Sequence, residues 1–411
     1  MNYFIYKSTC HDFSGNKKIA AESVCPGQVI IIMILFLLIS VITGEEYVGS
    51  HINKDTKWNA EDGPYLMDRD LVIDKGANLT IGPGVKVIIR KPKIYDTITQ
   101  FDATDSQLVS IKVLGALNCV GKKDRHISFV TTDGDRASYG WYGFVFDKTP
   151  GAFAEIAYTE IVNAYRAVSI RESDPIIRNN IIEYNHIGIY CSVNGNGRIY
   201  NNVISRNLLA GIHIREANPH IANNIIAFNK NNGVMCDAKS KINLEYNCIF
   251  GNADGDFLDC TPELGVPVKK SKKDSLIADF AHNIIMDPIF KGSAADSLAQ
   301  EHDVSLPTDK SRIKDTALAN VYYEDSNTSA VQNETHFPLK KYELSPYSPC
   351  ISNGLPDKEF NNSDGTQNTM GIWGGPEYFV PKAAKSSTPK KAAAKPAKKK
   401  EGGGHGGGHK K

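Results

Sequence analysis

No apolar run in the 411-residue sequence reaches the ~20 residues that a membrane-crossing helix needs. The longest, Val29–Ile42, is broken only by Ser40 and follows Lys17 and Lys18. That length suits the core of a signal peptide, with Thr43 and Gly44 as a cleavage point before Glu45. Export is therefore expected, to the medium, the periplasm or the cell surface, leaving no transmembrane span in the mature chain. Cys25 lies before the apolar run and no cysteine follows it at lipobox spacing, which argues against a lipid anchor. Charge of one sign is also lacking. The 47 basic and 46 acidic residues cancel to +1, so net charge singles out no partner. There is no CxxC pair and no Cys/His spacing of the kind that holds structural zinc.

What is present is a repeat. IIRNNIIEYNHIGIYC from Ile176, RIYNNVISRNLLAGIHI from Arg198, HIANNIIAFNKNNGVMC from His220 and INLEYNCIFGNADGDFLDC from Ile242 align under one another. Asn180, Asn202, Asn224 and Asn247 mark one register, and Asn185, Asn207, Asn229 and Asn252 a second. Gly188, Gly211, Gly233 and Gly255 mark a third, and a weaker copy from Glu155 lacks the asparagines. Each copy of about 22 residues contains short apolar alternations, such as Ile189 with Cys191, which read as half-buried strands. Asn and Gly between them suit corners, because both tolerate left-handed backbone. Asparagines stacked at a strand spacing of about 4.8 Å can bond amide to amide along the axis. The period is too short for the helical repeat families of about 33 to 45 residues.

On these residues the chain resembles the right-handed parallel β-helix repeat family, a pectate-lyase-like solenoid. Leu71–Ile89, Ile111–Gly121, His126–Thr132 and Trp141–Asp147 resemble its opening coils, and Asn283–Phe290 a closing one. Leu344–Gly354 and Asp364–Pro376 resemble the segment that ends such proteins. The expected organisation is a leader over 1–44, an N-terminal cap over 45–70, the β-helix over 71–290, an insertion and capping segment over 291–378, and a tail over 379–411. Insertions at 261–282 and 291–336 are expected as side loops or an end cap. The fold class is all-β, with disorder only in the tail.

Cys191 and Cys236 fall at matching repeat positions with Ile214 between them, so both read as free thiols in the core. Cys10 and Cys25 belong to the leader, and pairing among Cys248, Cys260 and Cys350 stays open.

Function on a solenoid sits on an outer face, where successive coils line up columns. If Val168, Ile189, Ile212 and Val234 point inward, then Ser169, Tyr190, His213 and Met235 point outward. Arg171, Ser192, Arg215 and Asp237 form the column beside them. Tyr190 can stack on a sugar, while Arg171 and Arg215 can pair with uronate carboxylates. With His213 and Asp237 these are the expected substrate-binding residues. His213 or Arg215 is the candidate base of a lyase, with Asp237 as a calcium ligand. Hydrolysis needs paired carboxylates, and Asp254, Asp256 and Asp259 are the dense acidic group available in the coils. A second set of calcium candidates is Asn362, Asp364 and Asn368, in a loop shorter than an EF-hand and lacking its closing Glu.

From Lys382 to Lys411 there are ten lysines and one acid, Glu401, a composition that cannot bury a core. Export favours an anionic surface polymer over nucleic acid as its partner. His405 and His409 read as spacer positions, and Asn78, Asn327, Asn333 and Asn361 are sequons. The expected function is binding or organising surface polysaccharide without catalysis. The alternatives are a lyase, less readily a hydrolase, acting on an acidic glycan, and a structural or adhesive surface protein.

Overall fold

A computed structural model describes residues 46–90, 108–132, 140–149, 153–237, 240, 242–268, 276–291 and 342–377. The leader, most of the second insertion with Asn327 and Asn333, and the tail with His405 and His409 lie outside them. Strands of two to six residues follow one another around a three-sided coil. Each pairs in parallel with its equivalent one turn on, giving sheets of nine, nine and eight strands. Sheet 1 runs from Glu46–Tyr47 to Cys248–Phe250, sheet 2 from His51–Ile52 to Gly255–Leu258, and sheet 3 from Thr56–Trp58 to Asn243–Glu245. The fold is the expected right-handed parallel β-helix. The segment expected to cap the N-terminal end supplies the first coil of all three sheets. Among the described residues no helix is long and apolar enough to cross a membrane.

The core lies inside the coils. Ile177, Ile182, Ile189, Cys191, Ile212, Ile214 and Val234 are all fully buried there. Upstream, where the repeat weakens, aromatic packing replaces aliphatic stacking. Phe129 meets Phe144 edge-on at 4.9 Å, and Trp141 lies 5.7 Å from Phe144.

Both asparagine ladders form. The Asn202 Oδ1 accepts from the backbone N–H and the side-chain amide of Asn180, both at 3.0 Å. Its Nδ2 donates to Asn224 Oδ1 and to the Ile177 carbonyl, both at 2.9 Å. Every hydrogen-bonding position of that buried amide is filled, which is what makes a fully buried amide tolerable. The first ladder continues through Asn247 to Asn283, whose amide donates to Asp279. The second, from Asn185 to Asn252, ends on the Asp256 carboxylate. A carboxylate is a pure acceptor, so it closes a chain of amide donors without leaving an orphan.

The left-handed corners differ from the sequence expectation. The residue before each rung has positive φ: Asn179, Asn201, Asn223 and Tyr246 on one ladder, Tyr184, Arg206, Phe228 and Gly251 on the other, so asparagine and glycine hold only some of the corners. The rungs are chosen for their amides, not for backbone permissiveness. Gly211 answers to space instead. A Cβ there would meet the Gly233 carbonyl at 2.8 Å and the Asn229 amide at 2.9 Å.

One cysteine assignment is corrected. Cys191 is free and buried, but Cys236 is disulfide-bonded to Cys260. The two are 24 residues apart, about one coil, with Cα atoms 4.9 Å apart. The ladder sets Cys236 beside Asp259, and the positive-φ turn at Asp259 brings the next residue, Cys260, to a separation that a disulfide accepts. Cys191 sits under Ile214 and has no such neighbour.

The C-terminal segment turns back along the outside of sheet 1. Ile181, Val203, Ile225 and Cys248 point outward there and are covered by Phe290, Tyr342, Leu344, Cys350, Met370 and Ile372. Polar contacts fix its path: Asn179 Nδ2 donates to the Ile372 and Gly374 carbonyls, and Asn201 Nδ2 to Asn368 Oδ1.

Candidate functional site

The outer face of sheet 2 carries the expected columns in register. Ser169, Tyr190, His213 and Met235 pair strand to strand, and Arg171, Ser192 and Arg215 do so beside them, while Asp237 lies past the end of its strand at Met235. Arg171 and Arg215 are exposed, while Tyr190, His213 and Asp237 are half-buried. The Tyr190 and His213 rings meet edge-on at 5.2 Å.

Two members of the expected set are already engaged. Arg171 forms ion pairs with Asp147 at 3.4 Å and Glu172 at 3.7 Å. Asp237 accepts the Glu216 backbone N–H at 3.1 Å and the Ser240 hydroxyl at 2.6 Å, which fastens the corner after the strand. It therefore acts as a structural acceptor for this loop. The second calcium candidate is likewise committed. Asp364 Oδ1 takes both the N–H and the hydroxyl of Thr366, Asn362 Oδ1 takes the N–H groups of Thr369 and Gly375, and Asn368 Oδ1 takes the Asn201 amide. These bonds lower the Asp364 pKa, the Thr366 hydroxyl first among the causes. These bonds hold the turn together, and no step through calcium follows. Among the described residues no group of three or more His, Cys, Asp or Glu converges as a metal site.

Sequence reasoning missed the most organised part of the face. Tyr142, Tyr165 and His186 stack one coil after another, with centroids 5.8 Å and then 5.2 Å apart. Beside them, the Arg166 guanidinium lies 4.1 Å from the Tyr190 ring centroid, 5.2 Å from that of Tyr165 and 6.0 Å from that of Tyr142. Its Nη1 donates to the Tyr142 hydroxyl at 3.0 Å, and its buried Nε has no partner. Each ring contributes about 0.5–2 kcal/mol of cation–π attraction, enough to hold the guanidinium in place. A signal was available. Tyr165 and His186 each stand three residues before an inward position, Val168 and Ile189, but Tyr165 falls in the copy without asparagines.

Burial and the cation together lower the pKa of the neighbouring histidines. Burial, then Arg166 and Arg215, lowers the His213 pKa, with Asp237 opposing. Burial, then Arg166, brings His186 down from 6.5 to about 4. Since the unfolded chain takes up this proton first, the stabilisation is complete above pH 6.5. It drains away as pH falls from 6.5 to 4, by on the order of 3 kcal/mol in all. His126, lowered to about 4 by burial, adds a similar loss. His186→Phe, which keeps a ring on Tyr165, is expected to remove the His186 share of the acid-induced fall, on the order of 3 kcal/mol across these pH values. Urea unfolding at a series of pH values measures it, and an unchanged slope would contradict the assignment.

Residues 126–263 match the family described as right handed beta helix region. That match covers the asparagine coils and the Arg166 face, and the parallel solenoid carries the same architecture from Glu46 onward. Comparison with curated proteins and with solved structures returns no match.

Proposed function

We propose that this β-helix binds an extended acidic polysaccharide along the outer face of sheet 2, and does so outside the cell. The observation that carries the reading is Arg166. Its guanidinium is held by three tyrosine rings, and among the described residues it has no carboxylate partner. A positioned, half-buried cation beside aromatic faces suits a sugar ring bearing a carboxylate, which can take charge-assisted bonds while the ring packs on tyrosine. Tyr165 and His186 are half-buried and repeat at the coil spacing, with buried Tyr142 continuing the column, so a chain running along the axis meets an aromatic ring on successive turns. Arg215 adds positive charge two coils further along the face, and the lysine-rich tail from Lys382 adds electrostatic attachment to an anionic surface.

The test is retention of the full chain on immobilised acidic and neutral polysaccharides, with titration calorimetry on any that bind. Arg166→Ala is expected to weaken binding about 10- to 100-fold, the scale of a lost charge-assisted bond. Arg171→Ala, whose charge is already paired, should change it little. Equal binding by Arg166→Ala and the unsubstituted protein, at equal melting temperature, would sink the proposal. A lyase is the second reading, favoured by one observation: burial and two arginines favour the neutral form of His213, the form a proton-abstracting base needs. Unsaturated product released from the bound glycan, and lost in His213→Ala, would establish it.

A further inference from the structure

Among the described residues four buried cysteines are free, and two of them share the apolar junction between the coil stack and the returning segment. Cys248 opens the last strand of sheet 1 and points outward from it, while Cys350 belongs to the segment that covers this face. Both are fully buried in one apolar cluster with Ile225, Ile284, Phe290 and Met370. The Cys350 thiol is the neighbour that acts most strongly on the Cys248 thiol, which also reaches the Met286 carbonyl at 3.2 Å. Each backbone is fixed independently. Cys248 N–H bonds to the Asn224 carbonyl at 2.8 Å, and the Cys350 carbonyl accepts the Met370 N–H at 3.0 Å. The other free pair is different: Cys119 touches Thr159, and Cys191 stacks on Ile214.

We infer that Cys248 and Cys350 form a second oxidation site, closing a disulfide that fastens the C-terminal segment to the outside of sheet 1. The chain already holds one oxidised pair, Cys236–Cys260, which joins the coil of Cys248 to the coil before it. The chemistry is thiol–disulfide exchange with a low-molecular-weight disulfide. One cysteine thiolate attacks it, forms a mixed disulfide and expels a small thiolate. The second cysteine then attacks the mixed disulfide, the Cys248–Cys350 bond forms, and a second small thiol leaves. The two electrons and two protons of the cysteine pair end on the two small thiols. The Cys350 thiol, then burial, raises the Cys248 pKa, so the exchange belongs to folding, before the cluster closes. The bond would span the whole second insertion, and in the chain-entropy account a long closed loop gains most from a crosslink. It would also tie the basic tail, which follows this segment, to the solenoid. This inference does not depend on the glycan reading.

The test uses the full-length chain, reduced and unfolded, then refolded in a mixture of a small thiol and its disulfide. Free thiols are alkylated in denaturant and the digest is mapped without reduction. The expected result is one peptide pair joined through Cys248 and Cys350, about 2 Da lighter than the separate peptides and released by reductant. Alkylation is lost at both positions and kept at Cys119 and Cys191. Alkyl label on both Cys248 and Cys350 in protein whose Cys236–Cys260 bond has formed would overturn the inference. As a second measurement, oxidised protein should melt higher than Cys350→Ser prepared in the same way. Coincident melting curves would count against a fastening role even if the bond forms.

Discussion

Ile214→Asp is expected to lose about 4 kcal/mol or more and to unfold the coils around it. Ile214 is fully buried, sits in register on Cys191, and belongs to the continuous apolar column inside the solenoid. A carboxylate there would have no partner and no water. In a stack where each coil contacts only its neighbours, damage to one coil removes a face from the next on either side. The neighbouring position supplies the control. Arg215 is exposed on the same strand, one residue on, so Arg215→Asp should stay within about 0.5 kcal/mol. Ile214→Val, which removes one methylene, should cost about 1 kcal/mol. Urea unfolding by circular dichroism measures all three. A well-folded Ile214→Asp with a damaged Arg215→Asp would mean that the strand faces the other way, since a one-residue slip exchanges every side chain between faces.

The ladders were legible because each rung is one residue type doing one job at a fixed interval. An amide that must accept two bonds and donate two can hardly be replaced, so its spacing survives in the sequence. The corner residue just before it has only to accept positive φ. Tyr184, Arg206 and Phe228 do this as well as Asn201, which hides the corner from a reading based on asparagine and glycine. The first coil was hidden for another reason: its strands at 46–47, 51–52 and 56–58 are too short to show alternation. Arg166 was missed because its coil is the copy that substitutes Thr159 and Ala164 for ladder asparagines, although their backbone N–H groups still cap the two ladders on Asn180 and Asn185. The cover over sheet 1 did leave a trace. Its strands read Ile181-Ile182, Val203-Ile204 and Ile225-Ile226, apolar on both faces, which is the pattern of a sheet buried on both sides.

That cover is held by charge as well as by apolar contact, and Arg206→Leu should expose how strongly. Glu183, Arg206 and Tyr342 are all buried between sheet 1 and the returning segment. Arg206 Nη1 donates to the Tyr342 hydroxyl at 2.7 Å and lies 3.5 Å from the Glu183 carboxylate, to which Tyr342 itself donates. Removing the arginine leaves Glu183 ionised in an apolar setting or forces it to take up a proton. The expected loss is about 3–5 kcal/mol, because breaking a buried pair strands the remaining charge. Tyr342→Phe removes only the hydroxyl and should cost about 1–2 kcal/mol, since Arg206 still faces Glu183. Glu183→Leu combined with Arg206→Leu leaves no stranded charge and should recover much of the single-variant loss. Urea unfolding of the four proteins gives the energies, and hydrogen exchange across residues 342–377 shows where the loss falls. A double variant less stable than Arg206→Leu would mean that the pair contributes net attraction of its own. Recovery would assign it to fixing where the segment lies, with the strength of the contact coming from Ile181, Val203, Ile225 and the side chains that cover them.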